Sequence, residues 1–331
     1  MRLWPALMLA LTLLAPPAGG QEVTFFRIGN GSTAGTYYPI GGIIATAISN
    51  PPGGAPCAEG GACGVPGLLA SAVASAGSVE NVENVGKGAL ESGFAQADVA
   101  YWAQTGTGNF AGLPAIENLC AIASLYPEAL HIVARREAGI DNIADLRGKR
   151  VSLDEPGSGT LVDARLVLDA AGLGDADLTV MHLPATRAAA AMREGKLDAF
   201  FFVGGYPSPA ISQLAGQAEV KLIPIDDAIA TKLTGAETFF IRDIVPQGTY
   251  RGMEEDVSTL SVGALWITRA DQPEDLIHAV TRVLWNDNTM RQLSYGHPIG
   301  RRILRENALK GVAIPLHPGA ERYYREAGLL R

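Results

Sequence analysis

The chain has 331 residues, a formal charge of −8 from 26 basic and 34 acidic side chains, and 47% hydrophobic residues. An acidic chain with no basic run longer than two residues is a poor match for nucleic acid or an anionic membrane surface, so neither is expected as a partner. The length suits about two ordinary α/β domains.

In chain order, Arg2 is followed by LWPALMLALTLLA and then PPAGG, the charged, apolar and small-residue regions of a secretory signal over residues 1–20. The apolar run is too short to span a bilayer, and later apolar segments are interrupted within about ten residues. The mature chain is therefore expected to be exported through the inner membrane into the periplasm.

Next comes FFRIGNGSTAGTYYP. Thr24 to Ile28 is β-branched and aromatic, as in a buried strand, and Gly29, Gly31 and Gly35 permit tight turns. Pro39 suits the first position of a helix through Ile48. Backbone amides at that helix start, with Thr36, Tyr37 and Tyr38, would suit a carboxylate or phosphate, although a plain solvated turn fits these residues equally well. Cys57 and Cys63 flank turn residues in PPGGAPCAEGGACG, close enough to form a local disulfide in an oxidising compartment. Cys120, in the apolar run LCAIASLY, reads as a buried free thiol.

One pattern occurs twice. ALESGFAQADVAYWAQTGTG and AMREGKLDAFFFVGGYP each read as a helix end, a glycine stop, a short turn carrying Asp98 or Asp198, an apolar strand and a glycine-rich loop. Upstream helices open at GSVENVENVGKGAL and GSGTLVDARLVLDAAGL. Two similar α/β lobes follow, with glycine-rich loops at the carboxyl ends of strands, where open sheets bind ligands in a cleft.

Enzyme signatures fail one by one. GNGSTAG spaces its glycines one residue off the dinucleotide fingerprint and lacks the later acidic partner. DEPGSGT has Pro156 and Thr160 where a nucleophile elbow needs glycine. His131, His182, His278, His297 and His317 are scattered without ligand spacing. Neither catalysis, a cofactor nor a metal is expected.

The segments RIGNGSTAGTYYPIGG, GSVENV, LYPEALHIVARREAGIDNIADLRGKRVSLDEPGSGT, KLDAFFFVGGYP and IPLHPGAERYYREAGL together resemble the TAXI family. These are the extracytoplasmic solute receptors of tripartite ATP-independent periplasmic (TRAP) transporters. The resemblance runs from about Phe25 to Leu329. It implies a two-lobed, class II type periplasmic-binding-protein fold that closes on a small carboxylated solute, such as a glutamate-like amino acid or a C4 to C5 dicarboxylate. That solute would pass to the membrane subunits of an ion-gradient-driven TRAP permease. A ligand sensor presenting its closed form to a signalling partner is the alternative.

Carried onto this chain, the resemblance makes Thr36, Tyr37, Tyr38, Ser78 and Asn81 ligand-facing from the first lobe. Gly157, Ser158, Gly159, Thr160, Gly204, Gly205 and Tyr206 would face the ligand from the second. Ser78 is equally a helix N-cap, and Thr160 with Asp163 equally a capping box. No arginine falls in these loops. Arg187, in the first turn of a helix, is more readily solvated than ligand-bound. Residues 21–132 with 263–331 are expected to form lobe 1 and 133–262 lobe 2, crossing at HIVAR and EDVSTLSVGALWITR. A monomer is expected.

Overall fold

A computed structural model describes residues 23–53, 57, 63–236 and 238–331. The expected signal at residues 1–20 and most of the cysteine loop lie outside these residues. Within them, Cys57 and Cys63 are joined by a disulfide, and Cys120 is a buried free thiol whose pKa burial pushes up to about 11.

The first half of the chain forms β1 (Thr24–Gly29), α1 (Tyr37–Ile48), β2 (Ser49–Asn50), β3 (Val65–Pro66), β4 (Leu68–Val73), α2 (Ser78–Gly86), β5 (Ser92–Gln96) and α3 (Ala97–Thr105). The 17-residue β6 (Leu119–Arg135) follows. Then come β7 (Arg150–Ser152), α4 (Gly159–Ala170), β8 (Thr179–Met181), α5 (Ala185–Arg193) and β9 (Ala199–Gly204). The chain continues through α6 (Pro209–Gln217), β10 (Val220–Leu222), α7 (Asp227–Ala236), β11 (Ile241–Val245) and the 13-residue β12 (Val257–Arg269). It finishes on α8 (Glu274–Leu284), α9 (Asp287–Gly296) and α10 (Pro318–Glu326).

Ten strands form one sheet, in the order β4-β1-β5-β12-β6-β9-β7-β8, with β10 added beside β6 and β11 beside β12. Two long strands hold its two ends together by changing partners along their length. β6 pairs with β12 from Leu119 to Ala129 and with β9 from Ala129 to Ala134. On its other side, β12 pairs with β11 over 257–261 and with β5 over 264–268. β6 can run this far because LCAIASLYPEALHIVAR is almost entirely buried, as a strand covered on both faces must be.

Strand alternation divides the core. Phe200 and Phe202 of β9 face one cluster with Ala188, Ile211 and Leu214, whereas Phe201 faces the cluster that holds Leu130, Ile132 and Leu161. A third cluster sets Phe26, Ile28, Ile44 and Trp266 against Ile277 and Tyr324.

The doubled pattern is realised only in part. Asp198 directly precedes β9 and accepts hydrogen bonds from Arg150 and Arg135, which hold its carboxyl far below the usual range. Asp98 does not precede a strand: the strand is Ser92–Gln96, and Asp98 lies buried in the first turn of α3. The apolar residues Val99, Ala100, Trp102 and Ala103 have helical spacing, and the segment is too short for spacing alone to separate helix from strand. Similarly, α1 begins at Tyr37, two residues before Pro39.

Candidate functional site

Four helices begin around one cavity. α1 brings Thr36 and Tyr37, α2 brings Gly77 and Ser78, α4 brings Ser158, Gly159 and Thr160, and α5 brings Ala185. Their first turns, where the positive dipole ends lie, border the same space, of about 50 Å3. Two glycines permit this approach. Gly77 has φ 133°, which a side chain would strain, and a Cβ on Gly159 would collide with Gln96 Oε1.

Hydroxyls around the cavity tie its walls together. Thr36 Oγ1 makes no cap at its own helix and instead accepts from the Gly205 N–H at 3.1 Å. Tyr37 Oη donates to Glu128 Oε2 at 2.6 Å. Ser78 Oγ accepts from the Gln96 N–H at 3.1 Å, and Gln96 Nε2 donates to Asp163 Oδ2 at 2.6 Å. Ser158 is the N-cap of α4, accepting from the Leu161 N–H. The expected capping box between Thr160 and Asp163 is not formed, because Ser158 already caps α4. Thr160 Oγ1 accepts instead from the Val203 N–H, and Asp163 is engaged by Gln96.

Among the described residues, the lining contains three carboxyl side chains and no lysine or arginine. Burial pushes Glu128 up to about 8, although the Tyr37 hydrogen bond opposes the rise. Burial likewise takes Asp154 to about 7, and it raises Glu155, where Arg187 partly offsets it. Behind the cavity Asp163 is raised well above the carboxylate range, by burial and then by Asp98. The site therefore offers helix-terminal amides and a protonated Glu128 as donors to an anionic group, together with the Asp154 and Glu155 carboxyl oxygens as acceptors for an ammonium.

Six of the twelve residues singled out from sequence line the cavity: Thr36, Tyr37, Ser78, Ser158, Gly159 and Thr160. Gly204 and Gly205 stand just outside it, with Gly205 bonded to Thr36. Gly157 makes the turn before α4, with φ 93°. Tyr38 is half-buried and outside the lining. Asn81 is fully buried and serves as scaffold: Nδ2 donates to the carbonyls of Asn30 and Phe94, and Oδ1 accepts from Ser75 Oγ. Tyr206 lies outside the lining too, its hydroxyl on the Ile244 carbonyl and its ring 4.9 Å from the Arg302 guanidinium. Arg187 is exposed in the first turn of α5.

Sequence reasoning missed Glu128, Gln96, Asp154, Glu155 and Phe202. Glu128 was the most accessible of these, as a lone charge inside a long apolar run is unusual unless it is used. Among the described residues, no group of His, Cys, Asp or Glu is placed to hold a metal ion, and no helix is long and apolar enough to cross a membrane.

A sheet in two parts joined by two crossing strands, with a cavity beside the crossing, defines the two-lobed α/β fold of periplasmic solute-binding proteins. The chain belongs to the NMT1-like family, whose model matches residues 28–328. Solved structures agree at the level of fold. A protein of Bordetella bronchiseptica RB50 is 15% identical, with 93% of this chain and 89% of that chain covered and a TM-score of 0.54. The binding-protein component of an ABC phosphonate transporter from Pseudomonas aeruginosa is 11% identical, with coverages of 82% and 79% and a TM-score of 0.51. The ligand-binding component of an ABC-type import system from Staphylococcus aureus is 10% identical, with 92% of each chain covered and a TM-score of 0.50.

Proposed function

We propose that the chain is an exported receptor that closes on a small acid-bearing solute and hands it to a membrane transporter. The observation that carries this reading is the convergence of four helix N-termini, drawn from both parts of the sheet, on one cavity. Residues 21–132 with 263–331 form one lobe and 133–262 the other. The partner exchanges at Ala129 of β6 and between Ser261 and Ala264 of β12 support crossings at those points. Thr36, Tyr37 and Ser78 then hold the solute from one lobe, and Ser158, Gly159 and Thr160 from the other.

The TAXI-like motifs favour a TRAP permease as acceptor, whereas the named structural neighbours from Pseudomonas and Staphylococcus belong to an ABC phosphonate transporter and an ABC-type import system. The receptor works in the periplasm after loss of residues 1–20, as a monomer and without catalysis. Within the class of carboxylated solutes, the acidic lining favours one that also carries an amine, because Asp154 and Glu155 face the same space as the helix ends. A glutamate-like amino acid meets both demands, and a C4 to C5 dicarboxylate meets the first.

The test is a thermal-shift screen of the mature chain against L-glutamate, succinate, glutarate, 2-oxoglutarate, alkanesulfonates, alkylphosphonates and neutral sugars. A solute at a hundred times its Kd stabilises the fold by about 2.7 kcal/mol, a clear rise in melting temperature. A response confined to neutral sugars overturns the proposal.

A further inference from the structure

A second, larger cavity of about 420 Å3 lies beside the same crossing strands, within the roughly 300–1,000 Å3 typical of small-molecule sites. It is lined by Ser124 to Pro127 of β6, Gly263 of β12, Ala97 of α3, Thr238, Phe239 and Ile241 at and just before the start of β11, and residues between 302 and 313. Its position follows from the sheet. β11 leaves β12 at Ser261 and β5 joins it at Ala264, so Gly263 falls in the gap between those two partners. Pro127 of β6 lines this cavity, whereas the next residue, Glu128, lines the first.

The walls divide by chemistry. Leu125, Phe239, Ile241 and Val312 supply an apolar surface, and Ile241 is 55% exposed. Arg302 and Lys310 supply positive charge, and among the described residues no acidic side chain lines the space. Arg302 Nη1 is buried without a hydrogen-bond partner, and the anionic contact of the guanidinium is Nη2 to Asp243 at 3.9 Å. Its guanidinium thus has unspent donors beside an apolar wall, the reverse of the carboxyl-lined first cavity.

We propose that this cavity is a second ligand site, for a small amphiphilic acid. Its acid group pairs with Arg302 and Lys310, and its hydrocarbon lies on Leu125, Phe239, Ile241 and Val312. An occupant touches both crossing strands and segments from each proposed lobe, so it resists their relative movement.

Octanoate is the probe and octylammonium its charge-reversed control, with binding to the mature chain read by calorimetry. Octanoate is expected to bind and octylammonium not to. Losing a hydrogen bond to a charged group weakens affinity roughly tenfold to a hundredfold, which is the loss expected for Arg302→Gln and for Lys310→Gln. Lys310 is exposed, so its variant keeps the test valid if the Arg302 change disturbs folding. Ala313→Phe, at an exposed rim position, fills the space and should abolish binding. Thr160→Ala, in the first cavity, should leave octanoate unaffected. The proposal is overturned by absence of octanoate binding at millimolar concentration, by equal binding of octylammonium, or by affinity that survives the Lys310 and Ala313 changes but falls with Thr160→Ala. This outcome is independent of the solute screen on the first cavity.

Discussion

Glu128→Gln should make the protein more stable at neutral and alkaline pH, although it removes a charged residue from the candidate site. Glu128 is 2% exposed, and burial lifts its carboxyl from an ordinary 4.5 to about 8. A carboxyl raised in the folded state contributes stability that is full below its unfolded pKa and lost as pH rises through the folded one. Each pH unit across that window costs about 1.4 kcal/mol, so at pH 7 the wild type has lost about 3 kcal/mol and by pH 8 about 4. Glutamine copies the protonated form: its carbonyl accepts from Tyr37 Oη, its NH2 stands where the acid proton was, and it never ionises in the unfolded chain. Melting curves of both proteins from pH 4.5 to 9 provide the assay. The gap at pH 4.5 measures the amide-for-acid exchange alone. It should widen in favour of the variant by roughly 5–10 °C at pH 7 and level off above pH 8, taking about 2–4 °C per kcal/mol as a guide. A gap that stays constant across this range refutes the reasoning, because Glu128 would then be ionised and compensated in the fold.

Two further outcomes follow from particular bonds. Thr36→Ala removes the acceptor for the Gly205 N–H, a bond between the proposed lobes, and should weaken the solute roughly tenfold to a hundredfold and leave some bound protein open. Thr160→Ala, whose hydroxyl bonds Val203 within one proposed lobe, should weaken it similarly while the residual complex still compacts, so small-angle scattering at saturating solute separates the two variants. Asp198→Asn strips the partner from Arg150 and Arg135 and should cost roughly 1–3 kcal/mol in urea unfolding at pH 7. Because the Asp198 pKa is depressed, that contribution is present above its ordinary value and disappears as pH falls through the folded one, so wild type and variant should converge in strong acid.

Elements with a local cause were legible in the sequence. β1 stood out by β-branched and aromatic content, α4 by its glycine and serine start, and the Cys57–Cys63 bridge by separation. The Asp98 segment misled because ADVAYWAQT carries too few residues to fix a period, and the packing of α3 against its neighbours decides it. Half of the expected ligand residues line the cavity because helix starts and glycine turns are local features. Glu128, Asp154 and Gln96 reach it through strand register and a loop path that no local pattern encodes. Asn81 illustrates the converse: it looked polar and available, but three hydrogen bonds within the protein occupy it.

The buried acids also predict how solute binding responds to pH. In the arrangement seen here the proposed lobes meet through Thr36 and Gly205, Gln96 and Asp163, the Glu80 N–H and the Gly157 carbonyl, and the stacking of Tyr101 and Trp102 on Phe239. Each hydrogen bond contributes only about 0.5–1.5 kcal/mol net, so closure is a shallow equilibrium that a solute can tip. If the lobes part, water reaches Glu128 and Asp163 and their carboxyls return toward ordinary values, because burial is the main cause of both shifts. Closure therefore takes up protons between pH 5 and 8, and binding that drives closure does the same. Affinity for a solute whose own charge is constant in this range, such as glutarate above pH 6, should fall with rising pH by up to about tenfold per unit for one proton absorbed. Glu128→Gln should flatten that dependence, and calorimetry in buffers of different ionisation enthalpy counts the protons directly. A pH-independent affinity with no proton uptake would mean that these acids remain buried whether or not solute is bound, and that the crossing strands are not a hinge.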